Sequence, residues 1–291
     1  MAGFCSDLAM DEPLAGSAAH AGQMLLIRWP RKRWTRDHGA APDMPQALQD
    51  KLAEIVEGGR RVNLIDRSDA PAGICRLILI PEYRAIDVAE AEVLETLLTW
   101  EMGNFDGWRA QPVPLFLTCT HSQRERCCAL HGEATFRALD AAQPPGEVWR
   151  SSHLGGCRFS ATVLSLPAGR KYGRMRAASI PDFLAAEAED RPYLPAYRGR
   201  IDQSEAAQVT HIAALQWAAE TGATLGEPQE TATGWTVPAE TPDGPVTLHI
   251  SLEKQDFDSP DACRKLDAGA TSPRTRLTAH LTRIAPQYPS Q

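Results

Sequence analysis

Apolar residues along this chain fall into short blocks, some of strand length and some at helical spacing. Met24 to Trp29 (MLLIRW) is a short apolar run and predicts a strand. From Asp43 to Val56 the spacing of Leu48, Leu52, Ile55 and Val56 predicts a helix, with Pro45 near its start and Gly58-Gly59 as its stop. Arg61 to Asp66 and Cys75 to Pro81 read as strands, separated by the turn-rich Ser68-Asp69-Ala70-Pro71. Ala85 to Trp100 reads as a second helix, so the order to this point is βαββα.

The order then recurs. Val113 to Thr118 reads as a strand and Cys128 to Ala142 as a helix stopped by Pro144-Pro145-Gly146. Glu147 to Ser151 and Thr162 to Leu166 read as strands, and Pro181 to Ala188 as a helix. This alternation predicts an α/β fold: thioredoxin-like mixed sheets flanked by helices, in two βαββα halves. Ser204 to Thr221 follows as an amphipathic helix carrying Val209, Ile212, Leu215 and Trp217. Trp235 to Pro238 and Pro245 to Leu252 form a hairpin around Pro242-Asp243-Gly244, and Leu277, Ala279 and Leu281 alternate as in a half-buried strand. Ser259 to Pro273 is polar and reads as a loop. The resulting division is an irregular N-terminal arm (1–22), a first α/β half (23–108), a second half (109–200) and a small C-terminal α+β appendage (201–291).

Composition narrows the class of function. Of 291 residues, 43% are hydrophobic and 23% charged, enough apolar material for a sizeable core. The net charge of −7 argues against nucleic-acid binding, which depends on neutralising phosphates. No apolar run approaches the ~20 residues of a membrane span. Met1 to His20 has no lysine or arginine and no continuous apolar stretch, unlike a secretory signal. Seven cysteines, an odd number, fit a reducing, cytoplasmic setting in which thiols serve metal or redox chemistry.

Cysteine spacing carries the chemistry. Cys119 closes an apolar strand, and Cys127 and Cys128 open the next helix, giving Cys-x7-Cys-Cys. Some thirty residues on, His153-Leu-Gly-Gly-Cys157 supplies His-x3-Cys. Thiolate and imidazole donors on two loops can close around one metal centre, and they suit either zinc or an iron–sulfur cluster. Gly155-Gly156 allows a tight turn and close backbone approach. The helix N-terminus beside Cys127 favours thiolates. Cys127 is out of phase with Cys128 and is the alternative ligand. Cys5, Cys75 and Cys263 read as small buried hydrophobes, and His121 and His131 as neighbours of the site or surface residues. A non-redox zinc protein and a thiol-based redox protein using Cys127-Cys128 or Cys119 are competing readings, the latter without a Cys-x-x-Cys. There is no GxGxxG, P-loop, GxSxG or convincing pair of glycosidase carboxylates, which points to a carrier more than a stand-alone enzyme.

Three segments together are similar to the sucrase/ferredoxin-like family: Cys119-Thr-His-Ser-Gln-Arg-Glu-Arg-Cys-Cys128, Trp149-Arg-Ser-Ser-His-Leu-Gly-Gly-Cys-Arg-Phe159, and Leu166-Pro-Ala-Gly-Arg-Lys-Tyr-Gly-Arg174. Gly16-Ser-Ala18 and Tyr197-Arg-Gly-Arg200 extend the resemblance. It implies a thioredoxin-like ferredoxin, an electron-transfer protein with a [2Fe–2S] cluster held by Cys119, Cys128, His153 and Cys157. Relatives tend to carry histidine at the last position, so the implied set of three cysteines and one histidine is a departure. Two histidines raise a [2Fe–2S] potential from about −400 mV to roughly −150 to +300 mV, and one should act in the same direction but less. The basic stretch with Arg170, Lys171, Arg174 and Arg176 is then a candidate docking face for an acidic redox partner such as a reductase. Arg28, Arg31, Lys32 and Arg33, interleaved with Trp29 and Trp34, form a second basic stretch.

Overall fold

The computed structural model describes residues 3–37, 39–260, 262–268 and 271–286. A short helix α1 (Cys5–Leu8) precedes strand β1 (Met24–Arg28) and helix α2 (Gln46–Glu57). Strands β2 (Arg61–Asp66), β3 (Ile74–Ile80) and β4 (Arg84–Ala89) lead to helix α3 (Val93–Glu101) and the two-residue β5 (Arg109–Ala110). The second half runs β6 (Leu115–Cys119), α4 (Glu133–Ala142), β7 (Val148–Ser151), β8 (Val163–Leu166), β9 (Arg170–Tyr172), α5 (Ile180–Ala188) and β10 (Tyr197–Arg200).

All ten strands form one sheet in the order β10-β9-β8-β6-β7-β2-β1-β3-β4-β5. Each half has the same plan. A parallel pair joined by a helix (β1 with β2, β6 with β7) is extended by antiparallel strands on the side of the first strand (β3-β4, β8-β9). This is the doubled, mixed α/β arrangement expected from the sequence. The halves meet edge to edge, where β2 pairs antiparallel with β7 through Ile65–Ser151 and Asp66–Arg150. All five residues of β1 and of β6 are buried, which is why both read as short, mainly apolar runs with no polar alternation. In α2, Leu48, Leu52 and Ile55 face the core, while Val56 is exposed.

One element differs in kind. Ala85 to Trp100 is not a single helix: its first residues are β4, and α3 starts only at Val93. β3 turns back at Tyr83 and pairs with β4 from Leu79–Arg84 to Ile74–Ala89, and this pairing outweighs the local helical spacing. Strands β9 and β10 were not expected because both are rich in cations, yet Lys171 and Arg198 within them are buried.

The C-terminal region is α+β. Helix α6 (Glu205–Thr221) is capped by Ser204, whose side chain accepts from the Ala207 N–H. It packs on a second sheet of five strands: β11 (Thr224–Leu225), β12 (Gln229–Thr231), β13 (Gly234–Thr241), β14 (Gly244–Pro260) and β15 (Thr271–Pro286). The Ser259-to-Pro273 stretch is thus only partly loop. β14 reaches Pro260, a short helical segment spans Cys263–Ala268, and β15 resumes at Thr271; residues 261, 269 and 270 of that stretch lie outside the described residues. The N-terminal arm is irregular but packed, with Cys5, Ser6, Ala9, Glu12, Ala18 and Ala21 buried. Among the described residues no helix is long and apolar enough to cross a membrane.

Candidate metal centre

The parallel pair β6–β7 builds the site. Cys119 ends β6 directly opposite Ser151, the end of β7, so the segments leaving the two strands start side by side. One carries Cys127 and Cys128; the other carries His153. Gly155 and Gly156 both take positive φ, 90° and 75°, and curl the second segment so that Cys157 turns back toward the first. Cys128 opens a wide π-turn, Cys128–Gly132, ahead of α4. There the chain passes so close to β6 that a Cβ on Gly132 would lie 2.0 Å from the Cys119 carbonyl oxygen.

These segments bring the four expected donors together. The Cys157 Sγ and His153 Nδ1 are 3.1 Å apart. The Cys128 thiol contacts the sulfurs of both Cys119 and Cys157, and His153 also reaches Cys119. Cys119 and Cys128 are buried, Cys157 nearly so, and His153 is partly exposed. The Cys119 thiol lies well below its ordinary pKa because it accepts from Cys128; burial opposes this, and His153 and the His121 N–H reinforce it. Cys157 is lowered by the same donor, against burial and with help from His153. Cys128 is pushed well up, first by Cys119. Burial disfavours charge on His153, but hydrogen bonds to Cys119 and Cys157 raise it to about 9. Thiolates stabilised in this way are the form that binds metal.

Cations fix the second segment from behind. Arg61 donates to the His153 carbonyl, as does Asn63 Nδ2 at 3.1 Å. Lys171 Nζ donates to the Leu154 carbonyl at 2.5 Å, and Arg198 Nη1 to the Gly155 carbonyl at 3.3 Å. Three successive carbonyls of that segment are thereby each given a hydrogen-bond donor. Neither Arg61 nor Arg198 was singled out from the sequence as a site residue; an arginine or lysine inside a strand, as in Tyr197-Arg-Gly-Arg200, was the available signal.

This corrects the docking expectation for Arg170, Lys171 and Arg174. Lys171 is 2% exposed. Arg170 pairs with Asp190 at 2.6 Å, and Arg174 donates to the carbonyls of Ala9 and Glu12 at 2.6 Å. Their charges are spent inside the fold and do not form a solvated face. The earlier basic stretch is also mostly tied down, Lys32 alone of its four cations being exposed. Arg28 is buried, and Arg31 and Arg33 pair with Glu133 and with Asp43 and Glu90.

A family model described as sucrase/ferredoxin-like matches residues 14–199, more than half of the chain. The chain belongs to the sucrase/ferredoxin-like family. No curated protein and no solved structure matches it. The span shared with the sucrase/ferredoxin-like model holds Cys119, Cys128, His153 and Cys157, and it covers nearly all of the ten-stranded sheet.

A second thiol group lies partly outside that span. The donor atoms of Cys5, Glu125, Cys127 and Cys263 all lie within 4.8 Å of one another, and all four residues are buried. Cys127 therefore joins this second group, while its thiol still touches that of its neighbour Cys128 in the first. Its Sγ is 3.6 Å from that of Cys5 and 3.3 Å from the Cys157 carbonyl oxygen, to which it donates. Cys5 and Cys263, read from the sequence as isolated hydrophobes, are partners at 3.3 Å. They stand 258 positions apart, so no spacing signal exists. Cys75 fits its expected reading: buried in the apolar core, its thiol pushed up to about 12 by burial. His121 is buried, its Nε2 2.5 Å from the Thr35 carbonyl oxygen, and it ties residues 31–37 to the site. His131 packs instead against Phe4 and lies 3.8 Å from Asp7.

Proposed function

We propose that this protein is an electron carrier that holds a [2Fe–2S] cluster on Cys119, Cys128, His153 and Cys157. The observation that carries the reading is the convergence of three thiols and one imidazole, two of the thiols stabilised as thiolates, within the span of a ferredoxin-like family. That donor set fits the group: soft, largely buried and able to deprotonate. A bound cluster would supply reversible one-electron transfer. The chain's own part is to hold the donors between two strand ends, to keep most of the site dry, and to set its charge. One neutral imidazole in place of a thiolate makes the site less anionic than an all-cysteine set and so easier to reduce.

The partner is taken to be an acidic redox protein. Exposed cations on segments next to the site, Lys32, Arg36 and Arg126, with Arg124 donating to the Arg36 carbonyl at 3.4 Å, take the place of the Arg170–Arg174 stretch as its docking face. All seven cysteines are free thiols, which supports a reducing, cytoplasmic setting. Replacing Cys119, Cys128, His153 and Cys157 singly by alanine should abolish or destabilise the visible chromophore of anaerobically purified protein, and Cys75→Ala should not. A normal chromophore in Cys128→Ala would sink this ligand set.

A further inference from the structure

The second thiol group is built like a metal site in its own right. In a tetrahedral zinc site with Zn–S near 2.3 Å, the sulfurs sit ~3.8 Å apart. Here Cys5 lies 3.6 Å from Cys127 and 3.3 Å from Cys263, too far for a disulfide and close to what one ion requires. The fourth corner is a buried carboxylate, that of Glu125. Glu125 is oriented by the Cys263 N–H, which donates to its Oε2 at 2.9 Å. The Cys5 N–H points at the Cys263 sulfur at 3.5 Å, a contact that favours a thiolate there. The Arg126 guanidinium, on the Cys263 carbonyl oxygen at 3.2 Å, places positive charge beside an otherwise anionic group.

We propose that Cys5, Cys127, Cys263 and Glu125 bind one zinc ion, separate from the centre at His153. A single ion is favoured because all four donor atoms fit within 4.8 Å of one another. Zinc is favoured by three thiolates and a carboxylate in a closed, buried tetrahedral set with no position open to solvent. Cys5 lies in α1, Cys127 precedes the π-turn, and Cys263 lies between β14 and β15. The ion would therefore staple both terminal regions onto the segment that carries Cys128. Cys5 and Cys263 fall outside the residues matched by the family model. The site does not depend on the [2Fe–2S] reading.

The test is elemental analysis and zinc-edge X-ray absorption on the full-length protein, purified anaerobically without added metal. Zinc, iron and sulfide are measured separately, so failure of either centre shows independently. The expected result is about one zinc per chain, with three sulfurs near 2.3 Å, one oxygen at ~2.0–2.2 Å and no imidazole scattering. Cys5→Ser and Cys263→Ser should each lose that zinc while retaining the wild-type iron and sulfide. The absorption spectrum needs no variant and decides the matter even if both substitutions prevent folding. Absence of zinc, a Cys5–Cys263 disulfide, or an imidazole in the zinc shell would each overturn the proposal.

Discussion

Gly132 shows how one residue can govern the site. Its φ is ordinary for a helix, so conformational freedom is not its role; room is. A methyl group there would meet the Cys119 carbonyl at 2.0 Å, and backbone cannot yield as a side-chain tip does. Gly132→Ala is predicted to cost about 1–3 kcal/mol by overpacking and to speed chromophore loss. Gly58→Ala, with its nearest contacts at 3.4 and 3.5 Å, should not do so. Lys171 is the second such residue. Lys171→Met leaves the buried Leu154 carbonyl without its donor, at about 1–3 kcal/mol. Differential scanning calorimetry should show a lower midpoint, and the rate of reduction by an acidic partner should stay within the effect of that loosening. A salt-dependent loss of rate would restore Lys171 to a docking role. At this scale near spacing and strand ends pick out Cys119, Cys128, His153 and Cys157, which the fold brings together. The sequence could not expose Cys5 and Cys263, whose partnership exists only after the chain ends have folded over the site.

Among the elements, the arm and the β14–β15 hairpin matter most, since they meet at Glu12. Its buried carboxylate accepts from Arg158, the residue after Cys157, and from Ser259 Oγ at 2.7 Å, with Arg276 at 3.4 Å. Burial opposes its ionisation, but Arg158 and Ser259 hold it below the ordinary value of 4.5. A carboxyl depressed on folding stabilises the protein above its unfolded pKa, and that contribution is lost as pH falls through the folded one. Wild-type stability should therefore decline below about pH 4.5 partly through this group. Glu12→Gln should lose about 3 kcal/mol at pH 7 by stranding Arg158 and show a shallower acid decline. An equal acid decline in both proteins would remove Glu12 from that role. The composition of 1–22 and of Ser259–Pro273 reads as irregular or loop because what these segments bury is small alanines, thiols and the Glu12 carboxylate, with no periodic run of large apolar side chains. For the same reason β9 and β10, each with a buried cation, escaped a reading built on hydrophobic period. Ala85 to Trp100 failed differently: its first residues are strand because β3 offers them an edge.

For the whole molecule, the doubled alternation of strands and helices was legible because each half repeats the same apolar runs and helical spacing, although each half is βαβββα, with β4 and β9 added to the βαββα order read from the sequence. That the halves share one sheet was not, since the junction is only the short β2–β7 pairing. Ser152, directly after that pairing, donates its N–H to the Leu64 carbonyl at 2.7 Å, and His153 follows it. The centre thus sits at the seam between halves, with the chain ends folded onto its other side. Removing metal from the protein by chelation under reducing conditions should raise amide exchange together in residues 4–12, 151–160 and 262–264. Exchange confined to 153–157 would mean that the centre does not hold the seam. The claim beneath all of this is a two-iron, two-sulfide centre on a mixed thiolate–imidazole set. Iron and acid-labile sulfide analysis with the visible spectrum of anaerobically purified protein tests it most directly. The account predicts about two irons and two sulfides per chain and a coloured protein that bleaches on one-electron reduction. A colourless protein holding zinc at His153, with no sulfide, would contradict it.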